Sequence, residues 1–219
     1  ARNFFLTGDM AKAIHKYREL YQLVQTGAES SENPAIWRGT DVLAMLDLGD
    51  IYGNHGDIEQ ARDLFSQALE QIRKSMPAPQ ADDYGYMRYI LLQARLYNGL
   101  LAQTVGNATV AKNHFDDAGL LIVKHLKDDP ASRQWQVEQA ILSIYQGDLL
   151  ALNNQSPAAM QAFNQAQKQV RGFMEAGPDS LDNLLYLALI HERLGQLHFK
   201  NKDMDLNSRG SFYQQDNAL

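Results

Sequence analysis

The chain has no cysteine. Disulfides and thiolate metal sites are therefore excluded, although this absence does not choose between a reducing and an oxidising compartment. Long apolar runs are also missing. The nearest candidate, YILLQARLYNGLLAQTV over 89–105, is interrupted by Gln93, Arg95, Asn98 and Gln103. It reads as a packed helix rather than a membrane span. No signal-peptide pattern opens the chain, because ARNFFLTGDMAKAIHKY carries polar and charged residues at short intervals. Basic clusters are absent too, and the formal net charge is −6. That argues against a nucleic-acid surface, which needs local Lys and Arg density.

Motifs for common chemistries are missing as well. GDIYGNHGD contains three glycines but no GxxxxGK[ST] phosphate loop, and no HExxH or GxSxG occurs. His191 and His198 lie seven apart, about two helical turns, and could meet a metal only with a ligand from elsewhere. The pairs Asp82/Asp83, Asp116/Asp117 and Asp128/Asp129 are adjacent in sequence, so they do not face each other across a cleft as paired acid and base would. Solvated surface or helix capping is the better reading. No catalytic residue, metal or cofactor is expected.

What remains is ordinary for a folded domain: 219 residues, 45% apolar and 21% charged. The information lies in a repeat. Gly56, Ala61, Phe65 and Ala68 recur as Gly106, Ala111, Phe115 and Ala118, then as Asn154, Ala159, Phe163 and Ala166. An earlier copy carries Gly8, Ala13, Tyr17 and Leu20. The aligned alanines Ala13, Ala61, Ala111 and Ala159 are 48, 50 and 48 residues apart. Upstream, Gly49, Gly99, Gly147 and Gly195 keep the same register. A fixed period in this range signals a helical solenoid.

The second half of each unit reads as an amphipathic helix. Ile58, Ala61, Leu64, Phe65, Ala68, Leu69 and Ile72 recur at three and four and make one apolar face. Asp9, Asp57, Asn107 and Ser156 stand where an N-cap is needed. Gly8, Gly56 and Gly106 end the preceding helices, with Asn154 as substitute in a left-handed position. Gly49, Gly99, Gly147 and Gly195 lie inside helices, where glycine costs about 1 kcal/mol relative to alanine. Close approach of the partner helix supplies the reason.

These residues resemble the tetratricopeptide repeat (TPR) family. Its Leu-Gly pair and following Tyr match Leu48, Gly49 and Tyr52, its turn glycine matches Gly56, and its Ala, Phe and Ala match Ala61, Phe65 and Ala68. The other units match in part, with Phe4, Ala102, Leu150 and His198 at the Tyr position. The usual period of about 34 is exceeded by roughly fourteen residues. The resemblance implies an all-α, right-handed superhelical solenoid of stacked antiparallel helix hairpins.

One domain over 1–200 is expected: a partial repeat at 1–26, repeats near 35–74, 81–126 and 133–174, and a degenerate unit from 180. First helices are placed near 35–54, 81–104, 133–153 and 180–200, and second helices near 9–26, 57–74, 108–126 and 157–174. Proline-containing breaks at 27–34, 75–83, 126–133 and 175–180 separate the hairpins. An irregular or poorly ordered tail is expected over 201–219. Both ends read as cut from something longer.

In the family, first helices line a concave groove that receives a peptide or helix of a partner. Carried onto this chain, the groove residues are Leu46, Asp50, Asn54, Gln93, Leu100, Gln103, Ile144, Asp148, Glu192 and Gln196. The set lacks the Lys and Arg combination that clamps a terminal carboxylate in some members. It suits an apolar peptide or helix with complementary charge. The resemblance thus implies a protein–protein interaction scaffold in the cytoplasm, with no nucleic-acid partner and no membrane insertion. The alternative is a sensor or regulatory domain of a larger bacterial signalling or transcription protein.

Overall fold

A computed structural model describes residues 10–30, 39–79, 81, 84–175 and 181–216. Among them are eight helices: α1 Met10–Ser30, α2 Thr40–Asn54, α3 Ile58–Ser75, α4 Tyr84–Thr104, α5 Ala108–Asp128, α6 Arg133–Leu152, α7 Ser156–Glu175 and α8 Leu181–Asp216. The fold is all-α, built of stacked antiparallel helix hairpins in a TPR-like arrangement. Gly8 and Asp9 lie outside the described residues.

Three turns explain why the hairpins form where they do. Gly56, Gly106 and Asn154 have φ of +91°, +77° and +57°. Each sits just past a helix end, where a left-handed residue turns the chain. The amides that follow, of Asp57, Asn107 and Gln155, donate back to the carbonyls of Tyr52, Ala102 and Leu150 at 2.9, 2.8 and 2.9 Å. The left-handed residues themselves donate to Gly53, Gln103 and Ala151. This double bond pattern is the Schellman motif, which satisfies carbonyls that a helix end leaves open. Asn107 then caps α5, its Oδ1 accepting from the Val110 amide at 3.2 Å.

Two expected caps are corrected. Asp57 makes no side-chain cap bond, and its Oδ2 accepts instead from Gln60 Nε2 at 3.3 Å. Its ψ of 62° is away from the extended geometry that aims a cap side chain at the helix amides. Ser156 is the first helical residue and is buried, so it stands inside the helix rather than before it.

The intrahelical glycines have a sharper role than close approach alone. A Cβ on Gly49 would lie 2.5 Å from the Phe65 ring, on Gly99 2.4 Å from Phe115, and on Gly147 2.5 Å from Phe163. Each ring, sixteen residues on, fills the hollow its glycine leaves. Ala61, Ala68, Ala111, Ala118, Ala159 and Ala166 are fully buried around these rings and hold the two backbones close. Burying a Phe side chain contributes about 2–3 kcal/mol. Gly195 differs: it is exposed, and no described atom lies within 4 Å of where its Cβ would stand. Its expected place in the repeat core is therefore corrected. Among the described residues, α8 has no Phe-bearing helix folded back on it.

The chain divides into two compact units, 1–121 and 122–219, where the sequence suggested one continuous domain. In the first, Val42, Leu46, Tyr52, Phe65, Ile72, Met87 and Ile90 belong to one buried cluster, with Tyr17 packed on its edge. In the second, Ala140, Ile144, Phe163, Val170, Ile190 and Leu197 form the core. The side chain of Ala13 is not described. The tail expected to be irregular is helical through Asp216. No helix among the described residues is long and apolar enough to cross a membrane.

Candidate partner-binding faces

The first-helix residues named for the groove divide by burial. Leu46 and Ile144 are fully buried in the cores of their units and reach no surface. They are corrected to core positions. Each packs among the buried apolar side chains of its own unit.

In the first unit, Asp50 is half-buried on α2 and Asn54 is exposed one turn later. Burial pushes the Asp50 carboxyl above the usual carboxylate range, and a hydrogen bond with the Asn54 side chain acts the other way. No cation among the described residues pairs with it. On α4, Gln93, Leu100 and Gln103 are half-buried. Gln103 Oε1 is enclosed and accepts no hydrogen bond.

In the second unit, Asp148 holds the repeat-equivalent position on α6. Burial raises its carboxyl as well, and the Arg193 guanidinium opposes the rise. Arg193 Nε donates to Asp148 Oδ1 at 2.8 Å, with the two side chains 31% and 22% exposed. Glu192 and Gln196 are exposed on α8, joined by a 3.0 Å bond from Gln196 Nε2 to Glu192 Oε1. Lys200 reaches Asn154 Oδ1 at 2.8 Å. Two large apolar side chains, Leu152 at the end of α6 and Phe199 midway along α8, are 64% and 70% exposed.

Arg193 was not singled out from sequence. The signal was there: it stands two residues before Gly195, and its equivalent before Gly99 is Tyr97. Tyr97 instead stacks on Phe65 with ring centroids 5.4 Å apart. On the first helix of the repeat after each aspartate, this position supplies a cation on α8 and an aromatic ring on α4.

Asp116, Asp117 and His191 are held in structural bonds, and Asp82 and Asp83 lie outside the described residues. Asp116 pairs with Lys112, and Asp117 with Arg95. His191 Nε2 lies 3.2 Å from Gln167 Nε2, which fixes it as the acceptor. Among the described residues no group of three or more His, Asp or Glu is placed to hold a metal. Arg18 bonds to the Tyr52 hydroxyl and lies over its ring, so the family's Tyr position also ties α1 to α2.

Comparison with known proteins supports the fold. No protein-family model matches the chain, and no curated protein matches it. Solved structures do. The chain is similar to BtubC (BKLC) from P. vanneervenii, at 15% identity and a TM-score of 0.63, over 90% of this chain and 68% of that one. It is also similar to a putative kinesin light chain from Podosopora anserina with nearly identical TPR-like repeats, at 17% identity and a TM-score of 0.50, over 93% and 88%. At such identities the likeness shows helical repeat-hairpin architecture and nothing finer.

Proposed function

We propose that the protein is an interaction scaffold and that the first-helix face of the first unit receives a peptide or helix of a partner protein. Asp50 carries the reading. A half-buried carboxylate without a cation is costly, and a Lys or Arg from a partner would relieve the cost. Leu100, Gln93 and Gln103 beside it on α4 add apolar and amide contacts, which suits a segment with alternating apolar and basic residues. In the second unit the face is Asp148, Glu192 and Gln196 with the exposed Leu152 and Phe199, and Arg193 already engages the carboxylate. Contacts there are expected to be more apolar. The regulatory-module alternative shares these surfaces and differs in what the chain is attached to. A cytoplasmic setting fits either reading.

The test begins with co-purification from the native host and mass spectrometry to identify a partner. Direct titration then compares wild type with Asp50→Lys and Asp148→Lys. Asp50→Lys should weaken binding at least tenfold with helicity unchanged, and Asp148→Lys should weaken it less. Equal affinity for wild type and Asp50→Lys would remove the reading.

A further inference from the structure

A second surface lies within the first unit. There α3, α4 and α5 line an open surface pocket of about 420 Å³, with Ser66, Glu70, Arg73, Lys74, Asn98 and His114 on its walls. None of these residues belongs to the partner-binding face. Cations outnumber carboxylates there, which is unusual in a chain of net charge −6.

The charges can be followed one at a time. Glu70 Oε1 is taken by Lys74 Nζ at 2.5 Å. Behind the wall, Asp117 Oδ2 is taken by Arg95 at 2.8 Å, and the Arg95 side chain is only 16% exposed. Arg73 makes no hydrogen bond or ion pair with any described residue. It is the cation left over. Its charge is felt inside: it acts against protonation of both Arg95 and His114.

His114 is held in a defined form. Arg95 Nη1 lies 3.3 Å from His114 Nδ1. A guanidinium only donates, so Nδ1 accepts and the ring proton sits on Nε2. Burial, then the Arg95 charge, push the imidazole below its ordinary range, while Asp117 pulls the other way. Asn98 is spent on structure, both amide hydrogens going to the carbonyls of Phe65 and Ala94 at 3.0 and 2.8 Å. The donors left open at the pocket are Arg73 and His114 Nε2–H, with the Ser66 hydroxyl and the remaining Lys74 N–H groups beside them.

Repeat packing does not explain the arrangement. The positions equivalent to Arg73, Arg95 and His114 one repeat later are Val123, Ser143 and Ala162. The constellation occurs once, grafted onto a scaffold that elsewhere does without it.

We propose that this pocket binds a phosphate monoester group, with Arg73 and His114 as its donors and Arg95 as the buried charge behind them. A tetrahedral anion accepts from several directions, which fits donors arriving from two different helices better than the planar fork of one carboxylate would. The pocket has room for the organic group that carries the phosphate. That group is either a small metabolite or a phosphorylated side chain of another protein, and the chemistry at the anion is the same.

The experiment is a proton and carbon NMR titration of the histidine rings in the full chain, at constant ionic strength. His114 is assigned by comparison with His114→Gln. Probes are inorganic phosphate, free O-phosphoserine and a short phosphoserine peptide, with chloride and acetate as controls. Added phosphate should shift the His114 resonance and raise its titration midpoint, because a nearby anion favours the protonated ring. The other histidines should stay put. Arg73→Ala should weaken phosphate binding about tenfold and leave the circular dichroism unchanged. Tighter binding of the peptide than of free phosphoserine assigns the source to a protein; equal binding assigns it to a small molecule. An unmoved His114 at 50-fold more phosphate than protein up to roughly 50 mM, the same shift with acetate, or undiminished binding by Arg73→Ala would overturn the proposal.

Discussion

Each unit contains one Gly-Asp pair at the same repeat position, Gly49-Asp50 and Gly147-Asp148. The glycines behave identically. Each leaves a hollow that a buried phenyl ring fills, with a Cβ 2.5 Å from Phe65 in one case and from Phe163 in the other. The aspartates diverge. Asp148 meets Arg193, while among the described residues Asp50 has the Asn54 side chain and no cation. Packing inside the hairpin repeats because every hairpin faces the same problem of bringing two helices together. Charge on the exposed side of the first helix has no such common problem, so it is free to differ.

The largest expected effects test the shared half. Gly49→Ala and Gly147→Ala should each destabilise by about 2 kcal/mol in urea unfolding, because the added methyl meets an enclosed ring and overpacking outweighs the better helix propensity. The two costs should agree closely. A cost confined to one unit would break the equivalence. Gly195→Ala is the control: with open space around it, alanine should stabilise by about 1 kcal/mol. Destabilisation there would mean that α8 carries a packed partner after all.

A smaller effect tests the divergent half. Arg193→Ala should raise the Asp148 carboxyl midpoint further, read by carbon NMR, and leave Asp50 where it is. The same substitution should cost at most about 1 kcal/mol, since a half-exposed ion pair is partly screened. Raising salt should shrink that cost. If Asp148 does not respond, the pair seen in the structure is not formed in solution.

Smallest is the pH response of His114. Its folded-state midpoint lies below the ordinary value, so the unfolded chain binds the proton more readily. Stability associated with this ring is present above about pH 6.5 and is lost as the pH falls toward the folded midpoint. His114→Gln should remove that part of the acid sensitivity, measured as the slope of unfolding free energy against pH between 5 and 7.

Much of the fold was legible in the residues. The Gly-Ala-Phe-Ala register located three turns and the helices on either side, and the substitution of Asn154 for glycine was correctly read as a left-handed turn. Helix ends agree with the expected spans to within about five residues, because the apolar period and the turn residues mark them, except that α8 runs on to Asp216 where 200 was expected. What the register could not convey was tertiary. Leu46 and Ile144 look like surface positions when the family's groove is transferred, but each packs into the core of its own unit. Asp57 occupies a cap position without capping, since its backbone dihedrals are set by the preceding turn. Gly195 keeps the register without the ring that gives the register its meaning. The candidate site was legible as a set of positions, not as a network: pairing Asp148 with Arg193 requires knowing that α6 and α8 lie side by side.

The central claim is that, among the described residues, Asp50 has no cation while Asp148 is held by Arg193. Urea unfolding of Asp50→Asn and Asp148→Asn, side by side at pH 7, tests it most directly. Both carboxyls have folded midpoints raised by burial, so an ionised Asp50 costs stability once the pH exceeds its unfolded value, about 3.9, and the full cost is present above the folded midpoint. Asp50→Asn should therefore raise the unfolding midpoint at pH 7, and the gain should vanish near pH 3. Asp148→Asn also removes the attraction to Arg193, so its gain should be the smaller of the two. A gain from Asp148→Asn equal to that from Asp50→Asn would contradict the account.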